Sequence, residues 1–222
     1  RLNCSLIDIY NNSRAKYKVW YRNEFVCYSP ETFAKIENSI ISSFPMKGTI
    51  DASIPDALVI LLADKKELAE HYTIVDLIRN DLSMISEHVK VKRFRYTEKI
   101  HTNQKDLYQV SSEIEGTLPA GYLCKLGEII ATLLPAGSIS GAPKKRTVEI
   151  IQETEICDRS WYTGIAGIFD GKNLDSFVLI RFIADSGNGL IFHSGGGITC
   201  HSKVHKEYQE MIDKVYLPIG NF

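Results

Sequence analysis

The sequence has 222 residues, 44% of them apolar and 24% charged, with a formal net charge of -1. That length and composition fit one large globular domain with a sizeable core, and the near-neutral balance gives no electrostatic case for a nucleic-acid or membrane-surface partner. The longest purely apolar run, Ala57–Ala63, is far too short to span a bilayer, no secretory leader opens the chain, and an opening Arg1 in place of Met implies missing upstream residues.

In chain order, Tyr17–Tyr28 (YKVWYRNEFVCY) predicts a hairpin of two short strands about an Arg22-Asn23 turn. Ser29-Pro30-Glu31 ends the second strand, and Thr32–Ile41 reads as a short helix and a further strand. Lys65–Leu82 (KKELAEHYTIVDLIRNDL) sets Leu68, Tyr72, Val75, Leu77, Ile78 and Leu82 near the helical period. Val89–Tyr96 alternates apolar with basic residues, as a half-solvated strand does. Leu107–Leu118 reads as another strand and Tyr122–Leu134 as a helix stopped by Pro135. A loop follows from Pro135 to Pro143, and Pro143 suits the first turn of a helix that continues over Lys144–Glu155.

Tyr162–Phe169 reads as a strand leading into the hairpin signal Asp170-Gly171. Ser176–Ala184 returns, Leu190–Ser194 adds a third strand, and Gly195-Gly196-Gly197 breaks it. Lys203–Tyr216 closes the chain as a helix. There is no repeat and no low-complexity segment. Strands in runs with helices between them predict an α+β chain with antiparallel sheets, expected as a single catalytic domain over 1–222. The five cysteines (Cys4, Cys27, Cys124, Cys157, Cys200) show no C-x-x-C spacing. They read as small buried hydrophobes in a reducing cytoplasm rather than a disulfide framework or zinc site.

Two carboxylate pairs carry potential chemistry. Glu67 and Glu70, and Glu207 and Glu210, are each three residues apart on a predicted helix, which puts both members on one face. Beside Lys65, Lys66, Lys203 and Lys206 each pair reads as a solvated face; together they could instead converge on one hard cation such as Mg²⁺, which needs only one or two direct carboxylates. Gly137–Pro143 could cradle an anion at a helix start, or be a tight loop–helix junction; it does not match the P-loop spacing. Gly195–Gly197 could form a backbone nest for a carboxylate, or a bulge. Arg181, inside the apolar run FVLIRFI, needs a partner if buried, either a structural ion pair or a ligand carboxylate. Tyr162 reads first as core packing.

The stretch SFPMKGT (Ser43–Thr49) places Lys47 between a proline and a Gly-Thr turn. Taken alone it is a solvated loop lysine. As a nucleophile it would have to be neutral, which an ordinary lysine, with a pKa of about 10.4, is in roughly one molecule in a thousand near pH 7.4. A nearby Mg²⁺ or Arg181 would favour the neutral amine, whereas a carboxylate such as Glu31 would oppose it yet could take the proton when attack begins. The residues alone leave that competition open.

From about Tyr17 to Tyr216 these segments resemble the chorismate-utilising enzymes, which include anthranilate, aminodeoxychorismate, isochorismate and salicylate synthases. The motifs, in family order, are Ser29-Pro30-Glu31, Pro45–Thr49, Glu70-His71, Ile74–Asp81, Gly137–Lys144, Tyr162-Thr163-Gly164, Ile180-Arg181, Gly195–Gly197 and Glu207–Glu210. The resemblance implies two packed antiparallel sheets with helices outside. It implies Mg²⁺ held by Glu70 and Glu210 with Glu67 and Glu207 in support, and chorismate bound by Gly48, Thr49, Ser138, Tyr162, Arg181, Gly195, Gly196, Gly197 and Lys214. Glu31 matches an acid/base position. Lysine at 47, where anthranilate synthases carry a small residue, implies the aminodeoxychorismate synthase branch. That branch aminates chorismate at C4 through a covalent lysine intermediate, with ammonia from a glutamine amidotransferase partner. Gln109 stands where many relatives carry histidine, Ser140 and Met211 replace common threonines, and a preceding segment of the family's catalytic domain is missing.

Overall fold

The computed structural model describes residues 4–101, 106–200 and 202–218. Its elements are α1 (Leu6–Asn12), β1 (Val19–Tyr21), β2 (Phe25–Cys27), β3 (Thr32–Glu37), β4 (Ile40–Ser43), β5 (Met46–Asp51), α2 (Ala57–Ala63), α3 (Lys65–Ser83), β6 (Glu87–His101) and β7 (Asp106–Thr117). A 3₁₀ turn (Tyr122–Lys125) leads into α4 (Leu126–Leu133), α5 (Gly137–Ser140), α6 (Lys144–Thr154), β8 (Ile165–Phe169), β9 (Leu174–Val178), β10 (Phe182–Asp185), β11 (Leu190–His193) and α7 (Val204–Asp213). The class is α+β, with two antiparallel sheets and helices, as expected. The chain divides into two compact units: Arg1–Glu31 with Arg159–Ala166 and Phe177–Phe222, and Thr32–Asp158 with Gly167–Ser176.

The first unit is built on the sheet β1-β2-β10-β11. Period-two alternation sorts its side chains. Val26 and Ile183, paired in register, face Leu6 and Ile9 of α1. Phe25, Cys27 and Phe182 face the other way, onto Phe177, Leu179 and Tyr162. Helix α1 was not anticipated, although Ser5 and Asp8 cap its start reciprocally, a short-range signal the sequence carries.

The expected single strand Ser176–Ala184 is two strands. The chain breaks at Leu179–Arg181, where Leu179 donates to the Gly164 carbonyl and Arg181 takes a left-handed φ of 55°. An apolar run shows burial and hides such a break, because the change of hydrogen-bonding partners is non-local.

The second unit carries the sheet β5-β7-β4-β3-β9-β8, with β6 on the remaining edge of β7. The helix expected within Thr32–Ile41 is a β3–β4 hairpin. Asn38 and Ser39 both adopt positive φ and turn the chain in two residues, the geometry that favours a tight hairpin. Strand β6 runs longer than Val89–Tyr96, held to β7 by cross-strand ion pairs such as Arg93–Glu113 at 2.7 Å. Pro143 is the cap residue before α6 rather than part of its first turn. Tyr122–Ser140 has the length and apolar composition of a membrane span. Yet the stretch is interrupted between Leu133 and Gly137, and the eight residues of α4 reach only about 12 Å.

Candidate active site

The geometry at Lys47 starts with strand register. Strand β5 pairs with β7 as Met46↔Ser111 and then as Thr49↔Gln109, so Lys47 and Gly48 stand opposite Val110 alone. This is a β-bulge, which re-aims the side chains of the bulged strand. Gly48 has φ +79°, and a Cβ there would meet Leu61 Cδ1 at 3.0 Å and Glu67 Oε2 at 3.3 Å. Glycine therefore serves both the turn and the close approach of the Glu67 carboxylate.

Helix α3 brings the acids to that bulge. Asp64 caps it, accepting from the backbone N–H groups of Lys66 at 2.8 Å and Glu67 at 3.0 Å, so the first turn is firmly set. Lys47 Nζ then lies 3.0 Å from Glu70 Oε2, and Lys66 Nζ lies 3.5 Å from Glu70 Oε1. Burial pushes the Glu67 carboxyl above the ordinary carboxylate range, the Glu70 charge adds to this, and Lys47 and Lys66 pull back.

A group of this kind binds its proton more tightly in the folded than in the unfolded chain. Its ionisation therefore costs stability as pH rises from the ordinary carboxylate value through the folded one. Replacing Glu67 with Gln is expected to raise the metal-free chain's melting temperature at pH 7, by no more than about 2–4 °C, the equivalent of roughly 1 kcal/mol. The gain should vanish near pH 4, where the wild-type group is protonated. A gain that grows on acidification would contradict this account.

Further along α3, Asp81 receives a 2.7 Å hydrogen bond from Lys144 Nζ, which also donates to the Leu133 carbonyl at 2.8 Å. Gly137 packs beneath Leu77, Ile78 and Asp81, with no room for a side chain to be added freely. The Ser138 position on α5 is thus pinned to α3 two to three turns beyond Glu70. Lys144 is engaged by Asp81 and the Leu133 carbonyl, and so ties the segment Gly137–Pro143 to α3 and α4. Gln109 is buried opposite Thr49, its amide within 3.2 Å of Met46 Sδ and 3.3 Å of Ser111 Oγ.

The first unit gathers a different set. Gly195–Gly197 follow β11, and a Cβ on Gly195 would come within 3.2 Å of the Tyr162 hydroxyl. Lys214, at the end of α7, donates to the Gly195 carbonyl at 3.3 Å and pairs with Glu210 at 2.7 Å. The ring of His193 packs 5.4 Å from that of Tyr162, and burial holds its imidazole below the usual range. Arg181 sits in the break between β9 and β10, with its guanidinium 5.8 Å from the Tyr216 ring centroid. Its Nε is buried with no hydrogen-bond partner among the described residues. Glu207, in the first turn of α7, is buried. Glu31 is held through its backbone: its N–H donates to Ser29 Oγ and its carbonyl accepts from Val178.

Two clusters of expected residues therefore exist. Lys47, Gly48, Glu67 and Glu70 meet in the second unit; Tyr162, Gly195, Glu210 and Lys214 meet in the first. Thr49 and Ser138 flank the former, and Arg181, Glu207 and Glu31 belong to the latter's unit. The donor set suits a hard divalent ion. Each unit offers a pair of carboxylates three residues apart, and the repulsion felt at Glu67 is what a cation would relieve. Among the described residues no three His, Cys, Asp or Glu side chains form a ready cage. Mg²⁺ keeps several waters and does not require one. Lys66 and the Asp81–Lys144 pair were missed as functional neighbours. Lys66 was legible from its spacing of four to Glu70; the Asp81–Lys144 contact spans 63 residues and was not.

The sequence profile of the chorismate binding enzymes matches residues 2–219. A Haemophilus influenzae protein, named an uncharacterized PabA-like protein, is 55% identical over 217 residues, which cover 98% of this chain and 66% of that one. Aminodeoxychorismate synthase component 1 of Bacillus subtilis is 33% identical over 204 residues, 87% of this chain and 42% of its own length. The crystal structure of anthranilate synthase component I from Streptococcus pneumoniae superposes with a TM-score of 0.78 at 28% identity, covering 96% of this chain and 49% of that one. This chain thus spans about two thirds of the Haemophilus protein and less than half of the two synthases.

Proposed function

The chain belongs to the chorismate binding enzyme family, and from that premise we propose that it aminates chorismate at C4 to give 4-amino-4-deoxychorismate. The observation that carries this reading is Lys47, turned by a bulge onto the acids of α3, with Nζ 3.0 Å from Glu70. A primary amine at that place offers a nucleophile that a small side chain would not.

In this reading the backbone N–H groups of Gly195–Gly197, with Tyr162, Arg181 and Lys214, hold the substrate's carboxylates. The Nε of Arg181, without a hydrogen-bond partner among the described residues, is a donor suited to that task. Gly48, Thr49 and Ser138 complete the contact surface. Mg²⁺ bound by Glu70 and Glu210, with Glu67 and Glu207 in support, would supply positive charge to the ring carboxylate. Lys47, once deprotonated, bonds to C2 as the C4–oxygen bond breaks. Glu31 carries a proton to the departing hydroxyl, which leaves as water. Ammonia, from solution or from a glutamine amidotransferase subunit, then adds at C4, the bond from Lys47 to C2 breaks, and the surplus proton leaves the new amine. The net change is chorismate plus ammonia to aminodeoxychorismate plus water.

The test is to incubate the protein with chorismate, Mg²⁺ and an ammonium salt, add an aminodeoxychorismate lyase, and assay aromatic products. p-Aminobenzoate is expected. Anthranilate as the sole aromatic product would favour a second reading, anthranilate synthesis, to which the match with the Streptococcus structure lends weight. Binding of chorismate without turnover under any amine supply would point to a non-catalytic chorismate-binding regulator.

A further inference from the structure

Glu70 is shared between two lysines. One carboxylate oxygen faces Lys47 Nζ at 3.0 Å and the other faces Lys66 Nζ at 3.5 Å, while Glu70 itself is only 19% exposed. The neighbouring Glu67 carboxylate lies against the Gly48 backbone, one residue from Lys47. Two ammonium groups therefore balance two carboxylates. They bring to this pair the same charge that a divalent cation would bring. A cation drawn to Glu70 would meet the positive charge that Lys47 already places 3.0 Å from Oε2, so the two like charges compete for one carboxylate.

From this we infer that Lys47 and a divalent cation are rivals for Glu70, so that cation binding at the acids of α3 is coupled to release of the Lys47 amine from its ion pair. The inference rests on the proposal that Glu70 is a metal ligand and adds a linkage to it. By reciprocity, the cation weakens the Lys47–Glu70 contact by the same factor as that contact weakens cation binding. Lys66 takes part more weakly, being farther from Glu70 and more exposed. The device would keep the amine sequestered until the metal that orients the substrate is present.

The experiment measures Mn²⁺ binding to the full chain by electron paramagnetic resonance, without chorismate, for wild type, Lys47→Met, Lys66→Met and Lys65→Met. Lys65 is exposed on the same helical turn and controls for the loss of one positive charge. Lys47→Met is expected to tighten Mn²⁺ binding about two- to fivefold, the range of a partly exposed ion pair. Lys66→Met should tighten it less and Lys65→Met hardly at all. Unchanged or weaker binding in Lys47→Met, or equal tightening in Lys65→Met, would overturn the rivalry. If Lys47→Met does not fold, Lys47→Gln replaces it under the same criteria. Wild type that binds no Mn²⁺ would remove the metal reading as well. Absence of amination with tightened Mn²⁺ binding would remove only the catalytic reading.

Discussion

Replacing Lys47 with alanine is expected to lower 4-amination of chorismate by on the order of 10³-fold or more, as removal of a covalent nucleophile does. The loss should fall on kcat, because the groups proposed to hold the substrate's carboxylates, Tyr162, Gly195 and Lys214, belong to the other unit of the chain. Lys47→Arg separates two explanations. Arginine keeps a positive charge facing Glu70, but it stays protonated and cannot attack carbon. If the amine bonds to C2, Lys47→Arg is as inactive as Lys47→Ala while remaining folded. If position 47 contributes only positive charge, Lys47→Arg retains most of the rate, and covalent catalysis is refuted. An anthranilate synthase would tolerate Lys47→Ala, so the same variant tests the choice between the two branches.

Removing the carboxylate of Asp81 is expected to be strongly destabilising, although it touches no proposed substrate position. Asp81→Asn leaves Lys144, 19% exposed, facing a neutral amide in a site where Asp81 itself is 8% exposed. Breaking a buried pair in this way costs about 3–5 kcal/mol because a charge is left uncompensated. For a chain of this length that corresponds to a fall in melting temperature of roughly 6–20 °C.

Burial nevertheless pushes the Asp81 carboxyl upward against the pull of Lys144, so the pair is held at a desolvation cost. The double variant Asp81→Leu with Lys144→Met should therefore recover most of the lost stability. Thermal melts of the two singles and the double close the cycle. A melting temperature for Asp81→Asn within 1 °C of wild type would show that the pair does not anchor α5 and α6 to α3.

Much of the molecule was legible before its structure. The helix Lys65–Leu82 was, because an amphipathic period repeats every turn and is a local property. Asp170-Gly171 announced the β8–β9 turn for a similar reason: the two residues carry the turn by themselves. Membership of the family was legible from short motifs in order, and the placement of Glu67 with Glu70, or Glu207 with Glu210, from a spacing of three. Thr32–Ile41 hides its hairpin because β3 is buried on both sides for most of its length, so alternation does not show, and the turn rests on Asn38-Ser39, which carries no glycine.

What the sequence by itself determined was thus the α+β class, from period and turn signals along the chain, the resemblance to the family, from its motifs in order, and which side chains are available for chemistry. Only the tertiary structure decided where those side chains point. The bulge at Lys47-Gly48 depends on the register against β7, some 60 residues away. The break before Arg181 depends on which strands β9 and β10 join. The contacts Lys47–Glu70 and Lys144–Asp81 join residues 23 and 63 apart. Register and ion-pair partners are settled by packing among distant segments, and no local pattern encodes them.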